Sequence, residues 1–347
     1  MARSARHGIR LPLRVRRAAP AAGATAAGPV PFLGFLLKRA VGAGSVVFAA
    51  SLLVFLGIRA IPGDPATALG AEGADPASVA AIRHAYLLDR PLPEQYARWA
   101  WLALQGNLGL DERRLPVGHT IVTRLPLTLE LAALSLLVAL VIGIPAGVLA
   151  AVRRGRASDY LARVASLIGL SVPHFWLGLL LITWFAVDLH WLPASGYVSV
   201  RHPFGNLEHM LMPCLVLGAG FAAVLMRQTR SSMIGALDAD YIRTARANGL
   251  GEWRVVVRHA LRNSLITVAT VIGLDLGLLI SGAVVTETVF GIAGFGRLSI
   301  DAINARDYPM IQGIVLVTAT AYVLLNLAVD IVYSLLDPRI RLAGARP

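Results

Sequence analysis

Apolar residues gather in six long runs, and the segments between these runs are rich in charged residues, glycine and proline. Each run comes close to the roughly 20 residues that a helix needs to cross about 30 Å of hydrocarbon. Backbone groups in lipid must be hydrogen-bonded within their own segment, so the runs predict helices rather than strands. The six predicted transmembrane helices are residues 40–58, 131–152, 164–187, 210–226, 265–285 and 310–336. The pattern therefore predicts an all-α integral membrane protein.

The composition agrees with this prediction. Of the 347 residues, 56% are hydrophobic and only 15% are charged, with a mean hydropathy of +0.66, which is too apolar for soluble domains. The net charge of +12 would suggest nucleic-acid binding in a soluble protein, but here the cations lie in the connecting segments. We therefore expect membrane lipid around the chain and no nucleic-acid partner.

The cations also predict the orientation and the organisation of the chain. Twenty-two of the 32 lysines and arginines fall in 1–39, 153–163, 227–264 and 337–347, the segments that would share one side of the membrane. Lysine and arginine are retained on the cytoplasmic side, so both termini are predicted to be cytoplasmic. The predicted parts are a disordered basic tail over 1–35, a membrane domain over 36–341 with an outer segment 62–126 and a connection 227–264, and a C-terminal tail over 342–347.

Several kinds of site are excluded by residue type. The one cysteine, Cys214, excludes an internal disulfide and any multi-thiolate zinc or iron–sulfur site. The one lysine, Lys38, is followed by arginine, so there is no Gly-Lys-Ser/Thr phosphate loop and no ATP hydrolysis is expected in this chain. The histidines show no metal-binding spacing, and His174 is interpreted as an interhelical hydrogen-bond donor. We therefore expect no metal, no cofactor and no catalytic residue here.

The connection between the fourth and fifth predicted helices is the most informative polar segment. Asp238 or Asp240 is in position to cap a helix through the sequence YIRTARAN, and Gly249 stands where a left-handed residue would end it. A second helix is predicted from Glu252, which makes the segment a short helical elbow. The apolar side chains predicted to cover its inner surface are Tyr241, Ile242, Ala245, Trp253, Val255 and Val256.

The stretch RTARANGLGEWRVVVRHALRNS in this elbow resembles the cytoplasmic signature loop of permeases from binding-protein-dependent ABC importers. The family pattern is Glu-Ala-Ala, three residues, Gly, nine residues, Ile, one residue and Leu-Pro. Ala245, Gly249 and Leu261 match this pattern. The positions that differ from it are Arg243, Thr244, His259 and Arg262. With these four differences, the stretch is similar to the corresponding loop in the peptide/nickel branch of the family.

Further resemblance to this family extends over about residues 33–341 and implies a type I ABC importer permease fold. The matching stretches are PGDPA at 62–66, LLDRPLPEQYARW at 87–99, SVPHFWLGLLL at 171–181, ETVFGIAGFGRL at 287–298, RDYPMIQG at 306–313 and NLAVDIVYSLLDPRIRL at 326–342. The family usually has proline where Ala293 stands. We therefore expect Gly291, Gly294 and Gly296 to form a loose, flexible outer turn.

The resemblance implies a permease that forms half of a translocation pathway for peptides or a related small solute in the bacterial inner membrane. Its partners would be a second permease subunit, two ATP-binding subunits that hold ATP and magnesium, and an extracytoplasmic solute-binding protein. The first helix of the elbow would sit in a cleft of an ATP-binding subunit. The residues implied in this coupling are Tyr241, Arg243, Thr244, Ala245, Arg246, Gly249 and Leu261.

The residues alone leave alternatives open. The arginines of the elbow also suit an amphipathic pair of helices lying on anionic headgroups. Asp275, inside the fifth predicted helix, is equally a candidate pathway residue or an interhelical contact, whereas Asp330 in the sixth favours an interhelical contact. Two further function classes are an autonomous secondary transporter or channel that uses Asp275 and Asp330, and a membrane scaffold without a pathway.

The outer segment 62–126 has two interpretations of equal weight. A helix is predicted over 77–88, and Tyr96, Trp99 and Trp101 are suited to a membrane interface. The segment either packs over the outer ends of the membrane helices or offers a docking surface to the solute-binding protein.

Overall fold

The computed structural model describes residues 30–60, 75–85 and 88–336, without the side chains of 30–38, 78, 82, 85, 274–276, 278, 280 and 330–336. Helices form most of these ranges, and their one β-bridge pairs Leu110 with Pro116. The helices are α1 Val30–Ala60, α2 Pro76–Ala85, α3 Leu92–Leu104, α4 Val117–Val152, α5 Ala157–Ser171, α6 His174–Leu181, α7 Pro203–Leu237, α8 Asp240–Ala247, α9 Glu252–Arg254, α10 Arg262–Val289, α11 Phe295–Ala305 and α12 Tyr308–Leu336. Two π-helical turns follow α6 and α9, over Ile182–Asp188 and Val255–Leu261.

Five of the six predicted transmembrane helices correspond to a helix that is long and apolar enough to cross a membrane. The third, predicted as one helix over 164–187, is wrong in that form. The chain bends by 102° between α5 and α6, so this pair is a broken span or a re-entrant loop. Pro173 explains the bend, because proline has no N–H to donate and forces Val172 into the extended region at ψ 122°.

Several described helices extend beyond the ends that the hydrophobic runs predicted, because charged residues are accommodated in the membrane helices, whereas residues 1–29 of the predicted tail lie outside the described residues. Helix α1 already begins at Val30, inside the predicted tail, and α4 begins at Val117, inside the predicted outer segment. Glu130 is accommodated in α4 because its carboxylate accepts hydrogen bonds from Tyr197 at 2.8 Å and Asn206 at 2.6 Å. The predicted connection 227–264 is shorter in the same way, since α7 runs to residue 237 and α10 begins at residue 262.

The core of the bundle is built around a close crossing of α4 and α7. A Cβ atom added at Gly143 would lie 2.7 Å from the carbonyl oxygen of Ala222, and one at Gly147 would lie 2.7 Å from that of Met226. On the facing helix, Gly218 is equally close to the backbone of α4. Small residues four apart allow such backbone approach in membrane helices, where dispersion contacts must supply the attraction.

Helix α3, from the outer segment, packs against α1. Tyr96 donates to or accepts from Ser51 at 2.8 Å, and the rings of Tyr96 and Trp99 lie 5.2 Å and 6.2 Å from that of Phe55. Trp101, in contrast, is 59% exposed. Of the three aromatic residues predicted for a membrane interface, Tyr96 and Trp99 therefore make a helix contact instead, which supports the packing interpretation for this part of the segment. The helix predicted over 77–88 is confirmed as α2 within the described residues, which leave out 86 and 87.

Candidate functional site

We use the name elbow for residues 238–261, which join α7 to α10. Its first helix, α8, begins after Ala239, whose backbone is extended at φ −75° and ψ 150°. The prediction that Asp238 or Asp240 caps this helix is wrong, because the described residues place no side-chain cap there and Asp240 is the first helical residue. At that position its carboxylate still favours the helix, since it lies beside the positive end of the helix dipole.

The turn after α8 is a Schellman motif. The N–H of Gly249 donates to the carbonyl of Arg246 at 2.9 Å, and the N–H of Leu250 donates to that of Ala245 at 3.3 Å. Gly249 has φ +76°, which confirms the predicted left-handed residue. No described atom lies within 4 Å of a Cβ added there, so the backbone angle, rather than space, is what requires glycine.

The inner surface of the elbow is fastened to the ends of α4 and α7. The buried residues that pack together are Ile242, Ala245, Val255, Val256 and Ala260 of the elbow with Ala151 of α4 and Met233 and Ala236 of α7. This confirms the inward placement of Ile242, Ala245, Val255 and Val256. Tyr241 and Trp253 were also predicted to face inward, but they are 41% and 78% exposed. The elbow is thus a packed unit that is fixed to two membrane helices.

The structure separates the predicted coupling residues into two groups. Ala245 is buried against the end of α7, and Leu261 packs against the same cluster. The outward residues are Tyr241, Arg243, Thr244, Arg246 and Gly249. Ala245 therefore matches the family pattern because it lets α8 approach the membrane helices closely, and only the outward group is available to a partner.

Charges on the elbow are partly paired. Arg246 makes two hydrogen bonds to Glu252, at 2.8 Å and 3.3 Å, which bridge the turn between α8 and α9. These bonds lower the pKa of Glu252 and raise that of Arg246. Because both side chains are well exposed, water screens the pair and its contribution to stability is small. Within the described parts of the chain, Arg254, Arg258 and Arg262 have no carboxylate partner.

The second arm of the elbow continues into α10 without a break. The π-helical turn Val255–Leu261 joins the two, and Arg262 stands where the family pattern has proline. Because arginine keeps the backbone N–H and lacks the proline ring, the helix can continue through this position. A π-helical turn is uncommon and often marks a functional position. Nothing in the sequence pattern predicted it.

A buried ion pair supports the same end of the bundle. Asp159, at the start of α5, is 1% exposed and accepts hydrogen bonds from Arg230 of α7 at 2.6 Å and 3.0 Å. Its carboxylate also accepts from the backbone N–H of Gly155 at 3.0 Å. The pair joins α5 to α7 near the base of the elbow. Sequence reasoning missed it, although an aspartate in a first helical turn was a signal that this carboxylate has a defined role.

The opposite end of the bundle holds a second buried carboxylate that sequence reasoning missed. Glu287, at the end of α10, accepts hydrogen bonds from the hydroxyl of Thr128 and from the backbone N–H of Arg297 at 2.8 Å. Thr128 in turn accepts from the N–H of Phe295 at 2.8 Å. Glu287 and Thr128 therefore satisfy N–H groups at the start of α11, where a helix leaves donors without an internal partner.

This arrangement makes the outer turn tight, so the expectation of a loose, flexible turn is wrong. A Cβ atom at Gly294 would collide with the Glu287 carboxylate, and one at Gly296 would lie 2.8 Å from the backbone of Val284. The carbonyl of Ala293 accepts a hydrogen bond from Arg124 at 2.8 Å. Arg124 therefore anchors the position where the family has proline.

Sequence comparison places this geometry in a family. The family model described as "Binding-protein-dependent transport system inner membrane component" matches residues 143–342, and the model for the N-terminal part of such membrane components matches residues 32–109. The first match covers more than half of the chain. The protein belongs to this family of importer permeases.

Relatives of the permease support the same assignment. It is 41% identical to the dipeptide transport system permease protein DppB of Escherichia coli strain K12 and 41% identical to the glutathione transport system permease protein GsiC of E. coli strain CFT073. Each comparison covers 89% of this chain and 99% of the relative. A solved chain of the inward-facing MetNI methionine ABC transporter is 20% identical, with a TM-score of 0.49 over 65% of this chain and 96% of its own. The family models and the two E. coli relatives identify the chain as a multi-pass inner-membrane permease subunit of a binding-protein-dependent ABC importer.

The remaining predicted residues of the permease are placed as follows. The backbone of Asp275 lies in α10 and that of Asp330 in α12, and both side chains lie outside the described residues. His174 lies between α7 and α10, with its ring against Gly220 and Gly282. It makes no hydrogen bond within the described ranges, which leave out several α10 side chains, so its interpretation as a hydrogen-bond donor between helices stays a prediction. Among the described residues, no group of three or more His, Cys, Asp or Glu could hold a metal ion.

Proposed function

We propose that this permease forms half of a translocation pathway for peptides or related small solutes, paired with a second permease subunit. The relatives DppB and GsiC are named for the transport of dipeptides and of glutathione. Glutathione is itself a short peptide, so the two names share one chemical class. Two ATP-binding subunits would supply the energy, and an extracytoplasmic solute-binding protein would deliver the solute.

The elbow is the part of the permease that receives the movement of an ATP-binding subunit. The observation that carries this proposal is the buried cluster that fastens α8 and the π-helical turn to the ends of α4 and α7. A partner that pushes on α8 therefore displaces two membrane helices together, because a packed cluster transmits displacement without collapsing. Tyr241, Arg243, Thr244 and Arg246 present the contact surface, and Gly249 fixes the angle of the turn.

This assignment places the elbow and both termini in the cytoplasm, in agreement with the distribution of lysine and arginine. ATP and magnesium bind to the ATP-binding subunits, since the chain has no Gly-Lys-Ser/Thr phosphate loop of its own. The permease then makes and breaks no covalent bond and has no catalytic residue.

The test is transport by the assembled complex. Proteoliposomes that contain the permease, its second permease and both ATP-binding subunits should accumulate a labelled dipeptide only when ATP is inside and the solute-binding protein is outside. Proteoliposomes with the permease alone are the control and should show no uptake. ATP-independent uptake by the permease alone would contradict the proposal and favour a secondary transporter.

A further inference from the structure

An open cleft of about 500 Å³ lies between α8 and the base of α10. Its lining residues are Tyr241, Arg258, His259, Arg262, Asn263 and Ile266. Tyr241 belongs to the first arm of the elbow and Arg258 and His259 to its second arm, whereas the last three lining residues belong to the start of α10. The side-chain amide of Asn263 donates a hydrogen bond to the hydroxyl of Tyr241 at 3.3 Å, which joins the two walls.

The charge of this cleft is positive and unneutralised. None of its lining residues is acidic, and within the described parts of the chain Arg258 and Arg262 have no carboxylate partner. Arg230 and Arg246, on the same end of the bundle, each hold a carboxylate at hydrogen-bond distance. An arginine without an internal partner keeps its planar set of N–H donors available for a phosphate or a carboxylate. The cleft therefore suits an anion.

The position of the cleft along α10 selects the kind of anion. Arg262 and Asn263 are followed from residue 265 by the fifth predicted membrane helix, whose first charged residue is Asp275. Ile266, which forms one wall of the cleft, is 50% exposed. The cleft thus has a cationic mouth and an apolar wall at the level where the helix enters hydrocarbon. A soluble ion would gain nothing from that wall.

We propose that the cleft binds the phosphate of an anionic phospholipid. Arg258 and Arg262 hold the phosphate oxygens, Asn263 offers a hydrogen bond to the headgroup, and one acyl chain lies along Ile266. Basic pockets between membrane helices are a recurrent site for anionic headgroups. The proposal requires only that the chain lies in a bilayer, so it does not depend on whether the elbow contacts an ATP-binding subunit.

The experiment measures bound lipid directly. The full chain is placed in nanodiscs of phosphatidylcholine with phosphatidylglycerol, and native mass spectrometry counts the phosphatidylglycerol retained after lipid removal. The double variant Arg258→Gln/Arg262→Gln should lose roughly tenfold or more of the retained lipid, and Arg258→Lys/Arg262→Lys should keep most of it. The matched control is Arg153→Gln/Arg156→Gln, which removes the same charge from the same end and should behave as wild type. Equal loss in both Gln variants, or no loss in either, would overturn the proposal.

Two further measurements distinguish a bound lipid from the two other occupants of the cleft, a free oxyanion and a protein. Phosphatidylglycerol adducts that disappear in millimolar inorganic phosphate would show a site for free oxyanions and would contradict a lipid site. Ile266→Cys places a thiol in the cleft, and the native Cys214 is buried. Phosphatidylglycerol alone should slow maleimide labelling at position 266. Protection by added ATP-binding subunits but not by phosphatidylglycerol would show that a protein covers the cleft, against our proposal.

Discussion

Asp159 and Arg230 form a two-pronged ion pair between α5 and α7, with nitrogen–oxygen distances of 2.6 Å and 3.0 Å. Asp159 is buried and Arg230 keeps partial access to water. Helix α5 ends at the 102° bend, so this pair fixes its first turn while the rest of the helix changes direction. The pair thus positions the broken third membrane segment relative to the helix that carries the elbow.

Removing one partner of this pair should destabilise the permease strongly. Asp159→Ala leaves the guanidinium of Arg230, which is 21% exposed, without an anion, at a cost of about 1–3 kcal/mol. Adding Arg230→Met should recover part of that loss, because no unpaired charge then remains. Thermal unfolding of the detergent-solubilised chain measures the stability change in the single and in the double variant. Asp240→Ala is the control, since it breaks the exposed pair with Arg243 at 3.4 Å and should cost under about 0.5 kcal/mol.

Two glycines inside long helices should respond oppositely to alanine. At Gly147 of α4, an added Cβ would lie 2.7 Å from both the carbonyl oxygen of Met226 and the Cβ of Thr229, so Gly147→Ala must separate α4 from α7. We expect a loss of about 1–3 kcal/mol from this overpacking. At Gly235 of α7 no described atom lies within 4 Å, so Gly235→Ala should be neutral or stabilising by up to about 1 kcal/mol. The unfolding temperatures of the two variants are compared, and an equal change in both would contradict the close crossing of α4 and α7.

The elbow offers a second matched pair of glycines. Neither Gly249 nor Gly251 has a described atom within 4 Å of an added Cβ, but Gly249 has φ +76° and Gly251 has φ −62°. Gly249→Ala should therefore strain the turn by about 1 kcal/mol, whereas Gly251→Ala should not. In the assembled importer, the first variant should reduce solute-stimulated ATP hydrolysis more than the second, because the turn sets the direction of α8. Equal coupling in both variants would mean that the angle of the turn is unimportant.

Hydrophobic pattern predicted the membrane helices well because burial in lipid depends on composition over about 20 residues, which a sequence displays directly. It predicted the left-handed Gly249 because a glycine after a short helix is a local signal. It could not locate the bend at Pro173, since proline is often tolerated within membrane helices and α4 accommodates Pro126 and Pro145 without a break. Whether a proline breaks a helix depends on its tertiary neighbours.

The buried carboxylates escaped prediction for a related reason. Glu287 and Asp159 each draw their partners from other helices, and the partners Thr128 and Arg230 are 159 and 71 residues away in sequence. No periodicity links such positions. Pairing at that range is decided by how the helices pack, and one sequence without that packing gives no sign of which charge will be buried. The outward surface of α8 was easier to predict from the sequence, because its charged residues fall on one side at helical spacing.

Asp307 provides a prediction for pH dependence. It lies just before α12, and burial raises the pKa of its carboxyl above the ordinary value of 3.8, with the nearby Asp111 acting in the same direction. Hydrogen bonds from the N–H groups of Glu112 at 2.9 Å and Met310 at 3.0 Å act in the opposite direction and are the smaller influence. The folded state therefore binds this proton more tightly than the unfolded state.

The sign of the effect follows from linkage. A carboxyl whose pKa is higher when folded stabilises the protein most below its unfolded pKa, and that contribution is lost as the pH rises through the folded pKa. Asp307→Asn removes the titrating group, so the variant should not lose stability in this way as the pH rises. The unfolding temperature of the wild type minus that of Asp307→Asn should therefore fall as the pH is raised from about 4 towards 7. The lost hydrogen-bond acceptor shifts the variant by a constant amount and leaves the slope unaffected. A difference that grows with pH would mean that the two N–H donors outweigh burial.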